Sequence, residues 1–152
     1  MEEIRGMSAA LKQINLLEQG PVVEAEIYPS EESFLKSKNF GTPENFLKVR
    51  LLIDTGSNIS GLDNEHIQLL NLQPYNDTEE WVHGTGGRWR VVRYGCVLYL
   101  PVFRTKALNI DVLEGSYKES NIDGVIGRDI LRYCNFKYNG IANEFRLEAK
   151  GF

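Results

Sequence analysis

The sequence predicts an all-β fold, a barrel-like sheet with one short C-terminal helix, and three kinds of pattern support this prediction. Val22 to Tyr28 alternates apolar and acidic residues, as half-exposed strands do. Asn45 to Ile53 is an apolar run that leads into a turn of small residues, Thr55-Gly56-Ser57. Later apolar runs are separated by a glycine-rich turn and by Asn139-Gly140, which are typical of β-hairpins. A length of 152 residues suits one domain with its own core.

The first half of the chain is predicted to contain an extension, two strands and a loop. Residues 1–20 form an N-terminal extension with a helix from Ser8 to Glu18, which Gly20-Pro21 ends. Residues 21–152 form the main domain. Pro29 to Glu44 is polar and contains both proline and glycine, so we expect a long loop between the first two strands of this domain.

The second half is predicted to be mostly hairpins. Three glycines in the four residues Gly84 to Gly87 mark the tip of a long hairpin, because glycine supplies the positive φ angles of a tight turn. The remaining expected elements are strands at Ile59–Leu62, Leu98–Phe103, Ala107–Val112 and Val125–Ile126, a brief helix within Asn64–Leu72, the hairpin strands Glu79–Leu100, a helix at Arg128–Cys134 and a final hairpin at Phe136–Leu147.

Composition and charge exclude several kinds of partner. A net charge of −4 argues against nucleic acid or an anionic membrane. Arg88, Arg90 and Arg93 are interpreted as a solvated strand face. Cys96 and Cys134 fit no metal-ligand spacing and are expected to be free, buried thiols in a reducing compartment.

No cofactor or metal site is expected. His66 has no second ligand nearby in sequence, so a surface or helix-cap position is predicted for it. No stretch has the length and hydropathy of a membrane span, and the N-terminus has no apolar signal core. The sequence therefore predicts a cytoplasmic protein.

Asp54 is the candidate functional residue, since it follows a buried strand directly and is held at the rigid end of that strand. Alone, the stretch fits an ordinary Asp-initiated turn equally well. Two further motifs follow it, His83-Gly84-Thr85-Gly86-Gly87 and Asp123-Gly124-Val125-Ile126-Gly127-Arg128-Asp129. The glycine motif alone would be a plain turn, and it lacks the Gly-Lys-Ser/Thr ending of a phosphate-binding loop.

In this order and spacing the three motifs resemble the retropepsin-like aspartic protease family, over roughly Val22 to Leu147. The resemblance implies an aspartic endopeptidase with one lobe per chain that hydrolyses peptide or protein substrates. It implies catalytic roles for Asp54, Thr55 and Gly56 and a supporting role for Arg128 and Asp129 at the start of the helix. The implied substrate-binding residues are Ser57 and those of a mobile hairpin, or flap: Gly84, Thr85, Gly86 and Gly87.

Such a reaction needs two carboxylates, one ionised to accept a proton from water and one protonated to polarise the scissile carbonyl. The chain has only one Asp-Thr-Gly, so we expect Asp54 of a second copy to complete the site in a homodimer. Retroviral members have an Asp four residues after the catalytic one, which pairs with the helix Arg. Here that position is Asn58, so Arg128 must find another or a neutral partner. The hydroxyl of Ser57 is expected to favour ionised carboxylates and an acid-shifted optimum.

Two other functions remain as alternatives. A catalytically silent dimerisation or peptide-binding module could use the same fold, although a scaffold has no need for a desolvated carboxylate pair. An actin-like ATPase, in which Asp-x-Gly-Ser/Thr turns meet nucleotide phosphates, would need two α/β lobes and a much longer chain.

Overall fold

The computed structural model describes residues 7–12, 16–41, 45–101 and 107–149. Strands dominate these ranges, and the all-β prediction is confirmed. The described strands are β1 (Met7–Lys12), β2 (Val22–Tyr28), β3 (Leu47–Ile53), β4 (Gly61–Asp63), β5 (Pro74–Gly84), β6 (Gly87–Tyr99), β7 (Leu108–Gly115), β8 (Gly124–Ile126), β9 (Cys134–Asn139) and β10 (Glu144–Ala149). The described helices are α1 (Leu16–Gln19), α2 (Glu31–Phe40), α3 (Asn64–Leu69) and α4 (Arg128–Leu131).

The main sheet closes on itself. Its strand order is β2-β3-β8-β4-β7-β6-β5, and β2 also pairs with β6, so six strands form a ring. Among the described strands, β5 pairs with β6 alone. Strand residues alternate between faces, and each ring strand sends an apolar side chain into one core. These side chains are at most 5% exposed: Val23, Leu51, Ile126, Leu62, Val112 and Leu98.

A second sheet joins the two ends of the described chain. Its order is β1-β10-β9, and β1 runs antiparallel to β10 from the pair Met7 and Ala149 to the pair Lys12 and Glu144. The predicted helix from Ser8 to Glu18 is therefore wrong for Ser8–Lys12; among the described residues of this stretch, Leu16–Gln19 is the helical part. A short apolar segment fits the residue spacing of a helix and that of a strand equally well. Here the edge of β10 offers backbone hydrogen bonds, and pairing with it favours the strand.

The predicted loop at Pro29 to Glu44 is also wrong, because α2 occupies most of it. The Oγ of Ser30 caps this helix by accepting the Ser33 N–H at 3.1 Å, and Gly41 ends it with φ 61°. Phe34 of α2 packs edge-on against Tyr28 of β2, with ring centroids 5.2 Å apart. This helix packs against the end of the outer face of β2, at Glu26 and Tyr28, and so helps to bury that strand. Within β2 only Glu24 is exposed, whereas a half-exposed strand was predicted.

The C-terminal part differs from the prediction in detail. The described ranges contain four helices: α3 lies within the predicted brief helix at Asn64–Leu72, α4 starts at Arg128 as predicted, and α2 was not predicted. The helix α4 ends at Leu131, short of the predicted end at Cys134, which belongs to β9. The last hairpin, β9 and β10 around Asn139-Gly140, is confirmed. Cys96 is buried, Cys134 is half-buried, and both are free thiols as predicted. Among the described helices, none has the length and apolar character needed to span a bilayer.

Candidate active site

Asp54 lies where β3 ends, and two strands fix its backbone. Its N–H donates to the Ile126 carbonyl of β8 at 2.9 Å, directly after the parallel pair Ile53 and Ile126. The side chain is half-buried, and Oδ1 accepts the Gly56 N–H at 2.9 Å. A Cβ on Gly56 would lie 3.1 Å from that oxygen, so a larger residue here would require the carboxylate to shift by a few tenths of an ångström. Thr55 and Gly56 are exposed, which leaves the turn accessible.

Ser57 uses its hydroxyl away from Asp54. Its Oγ donates to the Ile59 carbonyl at 2.6 Å, while its N–H donates to the Asp54 carbonyl at 3.2 Å. The hydroxyl proton therefore stabilises the turn itself. The expected acid-shifted optimum relied on that hydroxyl reaching the carboxylate, and this arrangement removes its basis.

The Asp54 turn and the start of α4 are in direct contact. The N–H groups of Arg128 and Asp129 donate to the carbonyls of Ser57 and Asn58, at 2.8 and 3.2 Å, and these bonds satisfy helix-terminal donors that would otherwise lack acceptors. A Cβ on Gly127 would lie 2.7 Å from the Ile59 carbonyl carbon, so only glycine allows this packing. The structure thus brings the first and third sequence motifs together.

The side chains of α4 hold the same turn. The Nη1 of Arg128 donates to the Thr55 carbonyl at 2.7 Å, so its partner is neutral, as the replacement by Asn58 led us to expect. Asp129 accepts from the N–H of Ser60 at 3.1 Å and from its hydroxyl at 2.8 Å, and the Ser60 Oγ accepts the Gly127 N–H at 3.0 Å. Ser60 was missed by the sequence analysis, because a lone serine before a short strand carries no distinctive signal.

The glycine-rich hairpin forms as predicted. The pairing of β5 with β6 continues to Gly84 and Gly87, so Thr85-Gly86 is a two-residue turn, and Gly87 has φ +104°. Trp81 is half exposed and lies under the guanidinium groups of Arg88 and Arg90, with distances of 4.4 and 5.6 Å from ring centroid to Cζ. Within the described part of the chain, no hydrogen bond links the four tip residues to the Asp54 turn.

The third arginine of the predicted solvated face behaves differently. Arg93 is half-buried, and its Nη1 lies 3.5 Å from Oδ2 of Asp111 on β7. It therefore belongs to an ion pair between two neighbouring strands, and the interpretation of all three arginines as one solvated face is wrong for this residue.

The other aspartates around the site serve the scaffold. Asp63 accepts the N–H groups of Glu65 and Tyr117 at 3.0 and 2.9 Å. Burial alone would raise the pKa of Asp63, but these two backbone hydrogen bonds and the nearby His66 and Lys118 lower it overall. Asp123 accepts the Arg50 N–H at 2.7 Å and lies 2.7 Å from the Nε2 of His66.

A surface or helix-cap position was predicted for His66. This prediction is corrected, because the ring of His66 is half-buried. In the described ranges, no three His, Cys, Asp or Glu side chains are grouped so as to hold a metal ion.

Tyr117 lies next to this site and was also missed. It follows β7, and its ring lies over two strand glycines, Gly61 and Gly115. Burial raises the pKa of its hydroxyl, and the negative charges of Asp54 and Asp63 raise it further. A glycine inside a short strand often marks a close approach by another group, so Gly61 and Gly115 were the available signal.

Solved structures that are similar to this chain include two viral proteases. A protease of EIAV, solved in complex with the inhibitor HBY-793, has a TM-score of 0.49 and 19% identity, covering 74% of this chain and 85% of its own. The protease of simian foamy virus (mac) has a TM-score of 0.47 and 13% identity, covering 74% of this chain and 93% of its own. No protein-family model and no curated protein sequence matches the chain.

Proposed function

We propose that the protein is an aspartic endopeptidase that hydrolyses peptide bonds with a water molecule held between two Asp54 carboxylates in a homodimer. The observation that carries this proposal is the position of Asp54. Its carboxylate is half-buried at the end of a barrel strand, with its backbone bonded to Ile126 and one oxygen bonded to Gly56. This combination of rigidity and access is what a catalytic carboxylate requires.

The chemistry needs a partner for Asp54. Asp63, Asp123 and Asp129 each accept two or more hydrogen bonds from the surrounding backbone or side chains, so they are committed to holding the fold. We therefore expect the second carboxylate to be Asp54 of another copy. Two carboxylates close together share one proton, and the pair titrates as a unit, which provides the base and the acid at once.

Each neighbour of Asp54 has a defined role in this proposal. Thr55 and Gly56 are exposed and would meet their counterparts in the second copy, fixing the two carboxylates face to face. Arg128 and Asp129 hold the turn from behind through Thr55 and Ser60. Gly84, Thr85, Gly86 and Gly87 would pair their backbone with an extended peptide as an added strand and then close over it, with Ser57 lining the floor.

The first test is cleavage of a diverse peptide library at several pH values by the wild type, by Asp54→Asn and by Glu24→Gln. Glu24 is an exposed carboxylate on β2 and serves as the control. We expect cleavage by the wild type and by Glu24→Gln, and none by Asp54→Asn. If Asp54→Asn still cleaved peptides, Asp54 would not be the catalytic group. If no variant cleaved but peptides bound, the silent peptide-binding module would be the better description.

A mixing experiment tests the shared site. Wild type and Asp54→Asn are combined at constant total concentration and allowed to exchange subunits. A site that needs one Asp54 from each copy predicts activity that falls with the square of the wild-type fraction, so an equal mixture retains about one quarter of the activity. A linear decrease to about one half would mean that each chain carries a complete site.

A further inference from the structure

Tyr117 occupies a slot that exists only because two neighbouring strands carry glycine. A Cβ on Gly61 would lie 2.2 Å from the Tyr117 hydroxyl oxygen, and a Cβ on Gly115 would lie 2.8 Å from the edge of its ring. Gly61 in β4 and Gly115 in β7 belong to paired parallel strands, in which Asp63 is opposite Gly115. The ring therefore fills the space of two missing side chains.

The register of the sheet places this slot on the same face as Asp54. Gly61 is directly opposite Val125, and Val125 is directly opposite Leu52 on β3. Directly opposed residues share a face, and so do residues two apart along a strand. This puts Asp54, two residues after Leu52, on the face that carries Gly61, whereas Leu62 and Ile126 point to the core on the other face.

Backbone hydrogen bonds fix Tyr117 at this point. Its N–H donates to the buried Asp63 carboxylate at 2.9 Å, and its carbonyl accepts the Ser120 N–H at 3.0 Å, closing the short 3₁₀ turn Lys118–Ser120. Its hydroxyl, by contrast, has no hydrogen-bond partner among the residues that the structure describes. The ring is thus anchored through its backbone, and its polar end is available to a ligand.

We infer that Tyr117 is a specificity-determining residue, the wall of the substrate pocket beside Asp54, and that it restricts the substrate side chain next to the scissile bond to small residues. This inference rests on the proposed function. The phenol ring occupies the space above Gly61 and Gly115 and so leaves less room for a substrate side chain beside the Asp54 carboxylate. A peptide held across Asp54 would press one of its side chains against that ring. The substrate class that follows is extended peptides with a residue smaller than leucine at that position.

The main experiment compares cleavage of the peptide library by the wild type, Tyr117→Phe, Tyr117→Leu and Tyr117→Ala, with Tyr138→Ala as the control. Tyr138 lies on β9 and is half exposed. The measured quantity is the ratio of kcat/KM for peptides with leucine or phenylalanine next to the scissile bond to kcat/KM for the same peptides with alanine there. We expect Tyr117→Ala to raise this ratio about tenfold, because the pocket gains room for several methylene groups. Tyr117→Phe and the control Tyr138→Ala should both keep the wild-type preference for small substrate side chains.

A rescue variant separates pocket size from general disturbance. In the wild type, the added methyl group of Gly61→Ala must displace the Tyr117 ring, so this variant should have an altered preference for substrate side-chain size. In Tyr117→Ala the same substitution meets no ring, and it should shift the preference back towards small side chains. An unchanged cleavage profile in both Tyr117→Ala and Tyr117→Leu would overturn the inference. Tyr117→Leu keeps an apolar side chain over the glycines and serves if the alanine variant unfolds.

A measurement without substrate tests the placement of Tyr117 itself. The ionisation of its phenol is isolated by subtracting the ultraviolet titration of Tyr117→Phe from that of the parent, in the wild type and in Asp54→Asn. Removing the Asp54 charge should move this titration to lower pH, since that charge raises the pKa of Tyr117. An identical titration in both backgrounds would place Tyr117 away from Asp54 and overturn the inference, even if the protein cleaves peptides. If the titration shifts as expected but the protein shows no cleavage that depends on Asp54, the proposed function would be refuted, while the position of Tyr117 beside Asp54 would stand.

Discussion

The carboxylate of Asp129 binds Ser60 with both of its oxygens. Oδ2 accepts the Ser60 N–H at 3.1 Å and Oδ1 accepts the Ser60 hydroxyl at 2.8 Å, and Ser60 is only 2% exposed. The Ser60 Oγ in turn accepts the Gly127 N–H. A short helix and the strand that leaves the Asp54 turn are thereby locked in one register.

Truncation of this carboxylate should destabilise the protein. Asp129→Ala leaves a buried hydroxyl and a backbone N–H without acceptors, which costs about 1–3 kcal/mol of unfolding free energy. Asp129→Asn keeps one acceptor oxygen and should lose less. Urea denaturation measures both, with Arg132→Ala at the exposed residue that follows α4 as the control. Wild-type stability in Asp129→Ala would contradict the role given to this pair.

Arg128 is expected to affect activity more than stability. Its side chain is exposed and donates to the Thr55 carbonyl, so Arg128→Ala should change unfolding free energy by less than about 1 kcal/mol. The loss of this contact loosens the turn that carries Asp54, and we expect kcat/KM to fall about tenfold or more. Activity and urea denaturation are measured on the same preparations, again beside Arg132→Ala. Equal losses in the two arginine variants would show that the Thr55 contact has no special role.

The sequence was most informative where the chain has local constraints. Asp54 at a strand end, the Gly84 to Gly87 tip and the helix start at Arg128 were all placed correctly, because turns and caps depend on a few adjacent residues. The network behind Asp54 could not be predicted in this way. Ser60 and Asp129 are 69 residues apart, and nothing local to either indicates the other.

The two main errors have different causes. The strand β1 forms because β10 offers an edge at the other end of the chain, which no window around Ser8 contains. The helix α2, by contrast, had local signals that were overlooked, namely Ser30 as N-cap, Glu31 and Glu32 in the first turn, and Gly41 at its end. The first error reflects tertiary pairing, and the second was avoidable.

Tyr28 connects α2 to the barrel and should contribute to its stability. It is fully buried, and its hydroxyl donates to Glu26 Oε1 at 2.6 Å, an oxygen that also accepts from Lys38 Nζ of α2 at 3.2 Å. Tyr28→Phe removes one donor from a buried carboxylate and should cost about 1–3 kcal/mol of unfolding free energy.

The matched control for Tyr28→Phe is Lys36→Ala. It breaks the exposed pair of Lys36 with Glu32 on the same helix and should cost less than about 0.5 kcal/mol. Thermal or urea denaturation compares the two variants. Similar small losses in both would mean that Glu26 gains nothing from the tyrosine.

Asp63 should make stability depend on pH at the acid end. Burial by itself raises its pKa, but hydrogen bonds from Tyr117 and Glu65 together with His66 and Lys118 hold the folded pKa below the usual value. A depressed folded pKa means that the contribution is complete above the unfolded pKa of about 3.9 and is lost as the pH falls through the folded pKa. Asp63→Asn keeps one acceptor oxygen but places an amide donor near a second N–H. It should therefore cost about 1–2 kcal/mol at neutral pH.

The difference between wild type and Asp63→Asn should shrink as the pH falls below about 4, because the wild-type carboxyl then becomes protonated and loses its advantage over the amide. Urea denaturation at pH 7, 5, 4 and 3 measures this convergence. Glu24→Gln, at an exposed carboxylate, should run parallel to the wild type over the same range. A difference in unfolding free energy between wild type and Asp63→Asn that stays constant from pH 7 to 3 would mean that ionisation of Asp63 does not stabilise the fold. The N–H groups of Glu65 and Tyr117 would then bind the carboxyl group equally well in its ionised and protonated forms.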